Sequence, residues 1–266
     1  MPNKKTVFIL LFLSPLLFAA HFSFGQRGFG MEEKKLVEKF KRADARFQKG
    51  KSLFSKEKYD QAEAELKTCL EMMPEHADAY FFLAQIDYKK GNFNQALADI
   101  GKAESNYEFI GQFYTYTHEL RLEQLRDDKM RLDSELTSLR DQLAKAKSEE
   151  ERQKLQSAMN PVQSQLSSIN TRLNEPLPHA LKTPANYYYI HGNILFKLQK
   201  LQETRDHYLE AIKIDPKHAM AYNNLINLYY MAKNYEEALK LVNQAEAEGV
   251  ELNPKLKEAV LKAAGK

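Results

Sequence analysis

Two of the seven histidines in this sequence, His191 and His207, are the residues best placed to hold a metal ion. Imidazole is the commonest protein ligand of transition metals. The two residues are predicted to lie on different helices of one helical pair, where they could approach each other. A zinc site needs further protein ligands, and the surrounding sequence does not identify any. We therefore expect both histidines to be structural or solvated, and we predict no metal site.

The sequence lacks the short motifs that usually carry catalysis. It has no Gly-rich phosphate loop, no G-x-S-x-G, no H-E-x-x-H and no paired-cysteine metal signature. Its single cysteine, Cys69, excludes an internal disulfide. The acidic run Glu149–Glu151 is typical of a solvated turn. We predict no catalytic residues, no cofactor-binding residues and no cofactors, and we expect the protein not to be an enzyme.

Composition and charge favour a helical protein that does not bind nucleic acid. Leu, Ala, Lys, Glu and Gln dominate, and residues that favour helices at this density predict an all-α fold. The formal net charge is +3, and without Lys4 and Lys5 the chain keeps 37 basic against 36 acidic residues. Nucleic-acid binding depends on a concentrated basic surface, which this balance argues against.

The first 25 residues are predicted to be a targeting segment. Lys4 and Lys5 precede the apolar stretch Val7–Ala20, whose 14 residues are short for a membrane span. Ser23 and Gly25 are small residues at the positions that a signal peptidase reads, so cleavage before Gln26 is expected. An uncleaved anchor helix that reaches Phe24 is the alternative. We expect an exported protein, periplasmic or associated with a bacterial cell envelope by default, with secretion as the other possibility.

One phrase occurs twice in the chain. "PEHADAY" covers Pro74–Tyr80 and "PKHAMAY" covers Pro216–Tyr222, 142 residues later. The sequences before and after each phrase also align, with a period of 34 residues from Ala43 to Ala77 and from Ala185 to Ala219. A 34-residue period indicates a repeat architecture built from helical pairs.

The period defines four copies, which begin at Ala43, Ala77, Ala185 and Ala219. These copies resemble the tetratricopeptide repeat (TPR) family. The resemblance covers about half of the chain. Large residues and small residues alternate at the family's positions, for example Tyr80, Leu83 and Ala84 in the second copy. The resemblance implies an all-α, right-handed solenoid of about four helical hairpins, in which small residues let the helices approach closely. Cys69 stands at a small-residue position and is expected to be buried and inert. His76 and His218 stand at junctions between helical pairs, where we expect a packing role.

A different pattern separates the second copy from the third. Leucines and other apolar residues recur at heptad spacing in two runs, which is typical of a coiled coil. The two runs are out of phase between Ala144 and Leu155, and Ser148 with Glu151 forms a predicted capping box. The pattern predicts a long antiparallel coiled-coil hairpin, interpreted as an overgrown helical pair that keeps its place in the stack. A single long helix used for parallel oligomerisation is the alternative. Pro161 is expected to mark a helix start or a kink.

These patterns divide the chain into six segments. They are the signal peptide at 1–25, an N-terminal segment and helix extension at 26–42, repeats 1 and 2 at 43–110, the elongated hairpin and its return loop at 111–184, repeats 3 and 4 at 185–252, and a C-terminal capping helix at 253–266.

The resemblance also implies a concave groove lined by the first helix of each repeat. Aromatic and amide side chains would dominate it and would hold an extended peptide; the same aromatics could instead pack internally. The predicted partner-binding residues are Phe47, Lys51, Phe54, Phe81, Gln85, Tyr88, Tyr189, Asn193, Phe196, Asn223, Asn227 and Tyr230.

The sequence therefore predicts an exported, non-catalytic protein–protein interaction scaffold. Its partners would be a protein or peptide in the groove and a second partner, or another copy, on residues 118–173. No nucleic acid and no stable membrane span after signal cleavage are expected. An accessory or assembly subunit of an envelope enzyme or secretion complex is the alternative.

Overall fold

The computed structural model describes residues 31–177, 179–180 and 182–265, and these residues are helical apart from their connections. The predicted signal segment lies outside the described residues. The helices are α1 Met31–Ser55, α2 Tyr59–Met72, α3 Ala77–Lys90, α4 Phe93–Lys145, α5 Glu149–Leu173, α6 Ala185–Lys197, α7 Leu201–Ile214, α8 Ala219–Met231, α9 Tyr235–Ala247 and α10 Pro254–Ala263. In the part of the chain that is described, no helix is both long and apolar enough to cross a membrane.

The helices pair as the 34-residue period predicts, which confirms the all-α solenoid of helical hairpins. Helices α1/α2, α3/α4, α6/α7 and α8/α9 pack against each other within a pair. Small residues allow the close approach that the repeat pattern requires. A Cβ added to Gly50 would lie 2.9 Å from Leu66, and one added to Gly192 would lie 2.6 Å from the Tyr208 ring. Cys69 is fully buried, and burial raises the pKa of its thiol to about 12, which disfavours the reactive thiolate.

The turn inside each pair uses one left-handed residue. Glu57, Gln199 and Lys233 have φ values of 58°, 59° and 58°, and Gly91 has a φ of 81°. These four residues stand at the same position of the four copies, one 34-residue period apart within each block. Because left-handed backbone costs an L-residue roughly 1–2 kcal/mol, the second repeat with its glycine has the least strained turn.

The long hairpin grows directly out of the second repeat. Helix α4 runs without a break across the predicted boundary at residue 110, over a length of about 80 Å. Helix α6 of the third repeat packs directly on α3 and α4. Repeat 3 therefore stacks directly on repeat 2, and the hairpin projects from the junction between them. The interpretation of the hairpin as an overgrown helical pair that keeps its place in the stack is wrong.

The hairpin has a core of its own. Apolar residues of the predicted heptads are buried between α4 and α5: Leu125, Leu132, Leu136, Val162, Leu166 and Ile169. The chain reverses direction at residues 146–148. The alternative of a single long helix is therefore wrong. Ser148 Oγ accepts a hydrogen bond from Glu151 N at 3.2 Å, and the Glu151 carboxylate accepts one from Lys147 N at 3.2 Å. Helix α5 continues through Pro161, which does not begin a new helix. Supercoiling of the two arms stays a prediction.

The last helix packs on the end of the stack. Asn253 caps α10 by accepting hydrogen bonds from Lys255 N and Leu256 N. Val260 is fully buried, and α10 packs on α8 and α9. The polar outer side of α10 thus replaces an exposed apolar repeat face.

Candidate functional site

The structure divides the twelve predicted groove residues into internal and accessible ones. Phe47 and Phe81 belong to the core, with 3% and 6% of their surface exposed. The Phe81 ring stacks on Tyr187 of the third repeat at 4.1 Å, and the Phe47 ring lies 4.9 Å from His76. For these two residues the internal-packing alternative holds, because their rings connect one repeat to the next.

The amide side chains among the predicted groove residues mostly bond within the protein. Asn193 Oδ1 accepts hydrogen bonds from the Tyr208 hydroxyl at 2.7 Å and from Asn224 Nδ2 at 2.8 Å. Asn223 Oδ1 accepts from Asn253 N at 2.8 Å, which anchors the C-terminal helix. Gln85 Nε2 donates to the Phe81 carbonyl at 3.4 Å. Among these amides and Asn227, only Asn227 is exposed.

The remaining groove residues present an aromatic surface that is partly open to solvent. Lys51 and Asn227 are exposed. The half-buried rings are Phe54, Tyr88, Tyr189, Phe196 and Tyr230. Most of these rings pack against the fold on one side. Phe54, Tyr88 and Tyr230 each contact the aromatic residue that begins the next helix, and the Tyr189 ring lies 5.0 Å from His218. A ring held on one side and open on the other is suited to contact a bound side chain.

Tyr88 of repeat 2 and Tyr189 of repeat 3 are neighbours across the junction between these two repeats. Burial raises the pKa of Tyr88, and the nearby Tyr189 adds to that shift. Burial likewise raises the pKa of Tyr208, whose hydroxyl lies behind Asn193. The Tyr88 phenol therefore stays protonated at neutral pH and offers a hydroxyl group to the surface, whereas the buried Tyr208 hydroxyl holds Asn193 in place.

A buried polar network lies behind the groove, and the sequence did not reveal it. The Tyr114 hydroxyl donates to Asp44 Oδ1 at 2.6 Å, and His76 Nε2 lies 3.7 Å from the same oxygen. The distance is too long for a hydrogen bond, so His76 acts on Asp44 through space. Burial raises the pKa of Asp44, but His76 and Tyr114 outweigh burial, and the resulting pKa lies below its usual value.

A second carboxylate, Asp78, repeats this arrangement at the hairpin base. The Tyr187 hydroxyl donates to Asp78, and His179 Nε2 lies 3.4 Å from Asp78 Oδ2. The His179 ring is stacked between Tyr107 at 4.3 Å and Tyr114 at 4.6 Å, which fastens the return loop to α4. Burial raises the pKa of Asp78, but His179 and Tyr187 outweigh it and the pKa is lowered. In the sequence the return loop showed only turn residues, and nothing identified His179 as its anchor.

The structure brings His191 and His207 together and adds a carboxylate. Their ring centroids are 4.0 Å apart, and His191 Nδ1 lies 2.9 Å from Glu104 Oε1. One potential ligand atom from each of the three residues lies within 4.8 Å of the others. Glu104 belongs to α4 and is far from both histidines in sequence. The sequence therefore did not identify it as a third potential ligand, and it lies beside the histidines because repeat 3 packs on repeat 2.

Two segments match family models of the repeat that the period indicates. Residues 53–98 match a model described as "Tetratricopeptide repeat", and residues 192–233 match one described as "TPR repeat". Together they cover about a third of the chain, one on each side of the hairpin. A search of curated proteins found no match.

Solved structures with similar folds include several TPR proteins. A thermophilic TPR protein of Thermus thermophilus is 15% identical over 84% of this chain and 100% of its own, with a TM-score of 0.34. PilF of Pseudomonas aeruginosa is 15% identical over 86% of this chain and 85% of its own, with a TM-score of 0.37. From the two family-model matches and the helical pairs that contain them, we conclude that this chain carries tetratricopeptide repeats on both sides of its long helical hairpin.

Proposed function

We propose that the protein is an exported, non-catalytic interaction scaffold that binds a peptide or protein on the first helices of its repeats. Tetratricopeptide repeats generally mediate protein–protein interactions, and they are typically non-catalytic. The observation that carries the proposal is the surface of Tyr88, Tyr189, Phe196 and Tyr230, whose rings are half-buried and partly open to solvent. Tyrosine hydroxyls and the exposed Asn227 amide suit an uncharged, extended peptide with apolar side chains.

The hairpin supplies a second surface for a second partner or for another copy of the chain. Its two arms bury their leucines against each other, so the outer faces are polar and charged. Met130 is an exception, because 66% of its surface is exposed on the first arm. A projecting arm with its own core can carry a contact without disturbing the repeats at its base.

An accessory subunit of an envelope enzyme or secretion complex is the second candidate function. Apolar side chains exposed on the outer helices and junctions favour it: Leu201, Leu209, Ile214 and Met220 are each at least 41% exposed. An obligate subunit would self-associate or precipitate without its partner, whereas a free scaffold would remain monomeric at concentrations where it binds peptide.

Export rests on residues 1–25, and its test is direct. Expression in a bacterial host, followed by cell fractionation and N-terminal sequencing, is expected to yield an envelope or periplasmic protein that begins at Gln26. A protein that keeps residues 1–25 and sediments with membranes would instead support the anchor.

The groove is tested by charge changes on its two exposed members. We expect Lys51→Glu and Asn227→Glu to remove partners captured from a cell-envelope extract, because both changes place negative charge beside the aromatic surface. Lys213→Glu and Gln202→Glu make similar chemical changes on exposed residues of α7, outside the predicted groove, and should leave the captured set unchanged. If all four variants capture the parent's partners, the groove is not the binding surface.

Replacing residues 124–171 with a short linker then reveals which partners depend on the hairpin.

A further inference from the structure

We propose that Glu104, His191 and His207 form a binding site for a divalent transition-metal ion, with Zn²⁺ as the best chemical fit. The three residues come from three helices, α4, α6 and α7, which belong to two repeats. One potential ligand atom of each lies within 4.8 Å of the other two. Nitrogen and oxygen ligands of a tetrahedral zinc ion lie about 3.4 Å apart, so side-chain rotations that move these atoms by about 1 Å would complete the geometry.

His207 is oriented as a metal ligand. Its Nδ1 lies 3.0 Å from the Glu203 carbonyl oxygen, one helical turn earlier. A carbonyl oxygen can only accept, so Nδ1 carries the proton and the Nε2 lone pair is free to bind an ion. Metal-bound histidines commonly donate their second ring N–H to a backbone carbonyl in this way, which fixes both the tautomer and the ring orientation.

His191 and Glu104 supply the rest of the set. His191 Nδ1 and Glu104 Oε1 lie 2.9 Å apart, and in the proposed site both atoms turn to bind the ion. The side chains of His191 and Glu104 are only 12% and 19% exposed. This partial burial limits competition from bulk water and leaves room for one water as the fourth ligand.

The donor set selects the class of ion. Two imidazoles and one carboxylate suit Zn²⁺, Ni²⁺ or Cu²⁺, whereas Mg²⁺ and Ca²⁺ require ligand sets made almost wholly of oxygen. The ion would join the second helix of repeat 2 to both helices of repeat 3, at the junction from which the hairpin projects. Because an ion that binds only the folded protein stabilises it, Zn²⁺ should act as a clamp between the two repeat blocks.

The test is a Zn²⁺ titration of purified, chelator-treated full-length protein in competition with a chromogenic chelator, with thermal unfolding recorded with and without Zn²⁺. We expect one Zn²⁺ per chain, a higher Tm with Zn²⁺, and no such effect from Mg²⁺. His207→Gln, His191→Gln and Glu104→Gln should each weaken Zn²⁺ binding by about 10- to 100-fold and remove the rise in Tm. Co²⁺ should give the visible absorption of a four-coordinate ion in the parent and not in His207→Gln.

Matched changes elsewhere on α4 provide the controls. His118→Gln and Glu123→Gln replace the same residue types outside the cluster and should bind Zn²⁺ as the parent does. The Tm of each variant without metal separates lost folding from lost binding, and the near-isosteric Glu104→Gln retains the bulk of the junction. The proposal is overturned if the parent binds no Zn²⁺ at one ion per chain, or if the three cluster variants bind it as tightly as the controls.

Discussion

His76 and His218 each begin a helix through the same ring nitrogen. His76 Nδ1 accepts a hydrogen bond from Ala79 N at 3.3 Å, and His218 Nδ1 accepts one from Ala221 N at 3.2 Å. An N-cap side chain satisfies one of the four backbone N–H groups that a helix start leaves open. The phrase P-x-H-A-x-A-Y recurs because its proline follows the end of one helix and its histidine caps the next.

Because of Asp44, the free energy of unfolding of the first two repeats is expected to depend on pH in the acid range. Its pKa is lower in the folded protein than the ordinary value of 3.8. A lowered folded pKa stabilises the protein above the unfolded pKa, and that stabilisation is lost as the pH falls through the folded pKa. We expect the free energy of unfolding to decline between about pH 5 and pH 3, and to decline less steeply in Asp44→Asn.

Urea titrations at several pH values measure this effect. Asp127→Asn replaces an exposed aspartate on the hairpin arm and should keep the parent's pH slope. Equal slopes for Asp44→Asn and the parent would show that Asp44 does not carry the acid sensitivity, and would leave Asp78, with its similarly lowered pKa, as the candidate.

At the scale of elements, the turn between the two helices of a repeat has a strict backbone requirement. Gly91 has a left-handed backbone with a φ of 81°, and no atom lies within 4 Å of a Cβ built on it. A side chain at this position would meet no steric clash, and its cost would come from the left-handed backbone alone. Gly101 lies inside helix α4 and also has open space around its Cβ position. The same substitution should therefore have opposite effects at these two glycines.

We expect Gly91→Ala to lower the free energy of unfolding by roughly 1 kcal/mol, and Gly101→Ala to raise it by about 0.5–1 kcal/mol. Chemical denaturation of the two variants beside the parent measures both changes. Shifts of the same sign would contradict the left-handed turn at Gly91 or the regular helix at Gly101.

At the scale of the whole molecule, the hairpin is energetically separate from the repeats. Its leucines form one core, while Tyr187 and Ile194 of the third repeat join the core of the first two. Replacing residues 124–171 with a short flexible linker should leave a folded repeat stack. Circular dichroism would show a loss of helix in proportion to the residues removed, and the remaining chain should still unfold cooperatively.

A smaller change at the hairpin base should be more harmful to the stack than removal of the arms. His179→Ala keeps every helix but empties the space between the Tyr107 and Tyr114 rings, and it should cost about 2 kcal/mol. If the hairpin deletion unfolds the repeats and His179→Ala does not, the arms rather than the return loop support the junction.

Burial and contacts separate the predicted groove residues into two groups, and their binding of a partner stays a prediction. Lys51 and Asn227 are exposed, because both are polar and occupy outward positions of a first helix. Phe81 and Asn193 occupy comparable positions but face a neighbouring element, where Tyr187 and Tyr208 hold them. Periodicity assigns a residue to a helix face; whether another element covers that face depends on contacts between residues far apart in the chain.

The helical pairs, their boundaries near Pro74 and Pro216, the reversal at Ser148 and the cap at Asn253 could all be predicted from the sequence. These features follow from local physics: hydrophobic period, helix-breaking proline and side chains that satisfy open N–H groups. The folded chain was needed to see that repeat 3 stacks on repeat 2, that His179 anchors the return loop, and that Glu104 lies beside His191 and His207. Those contacts bring together residues up to 109 positions apart in sequence, and such contacts are set by the packing of whole elements.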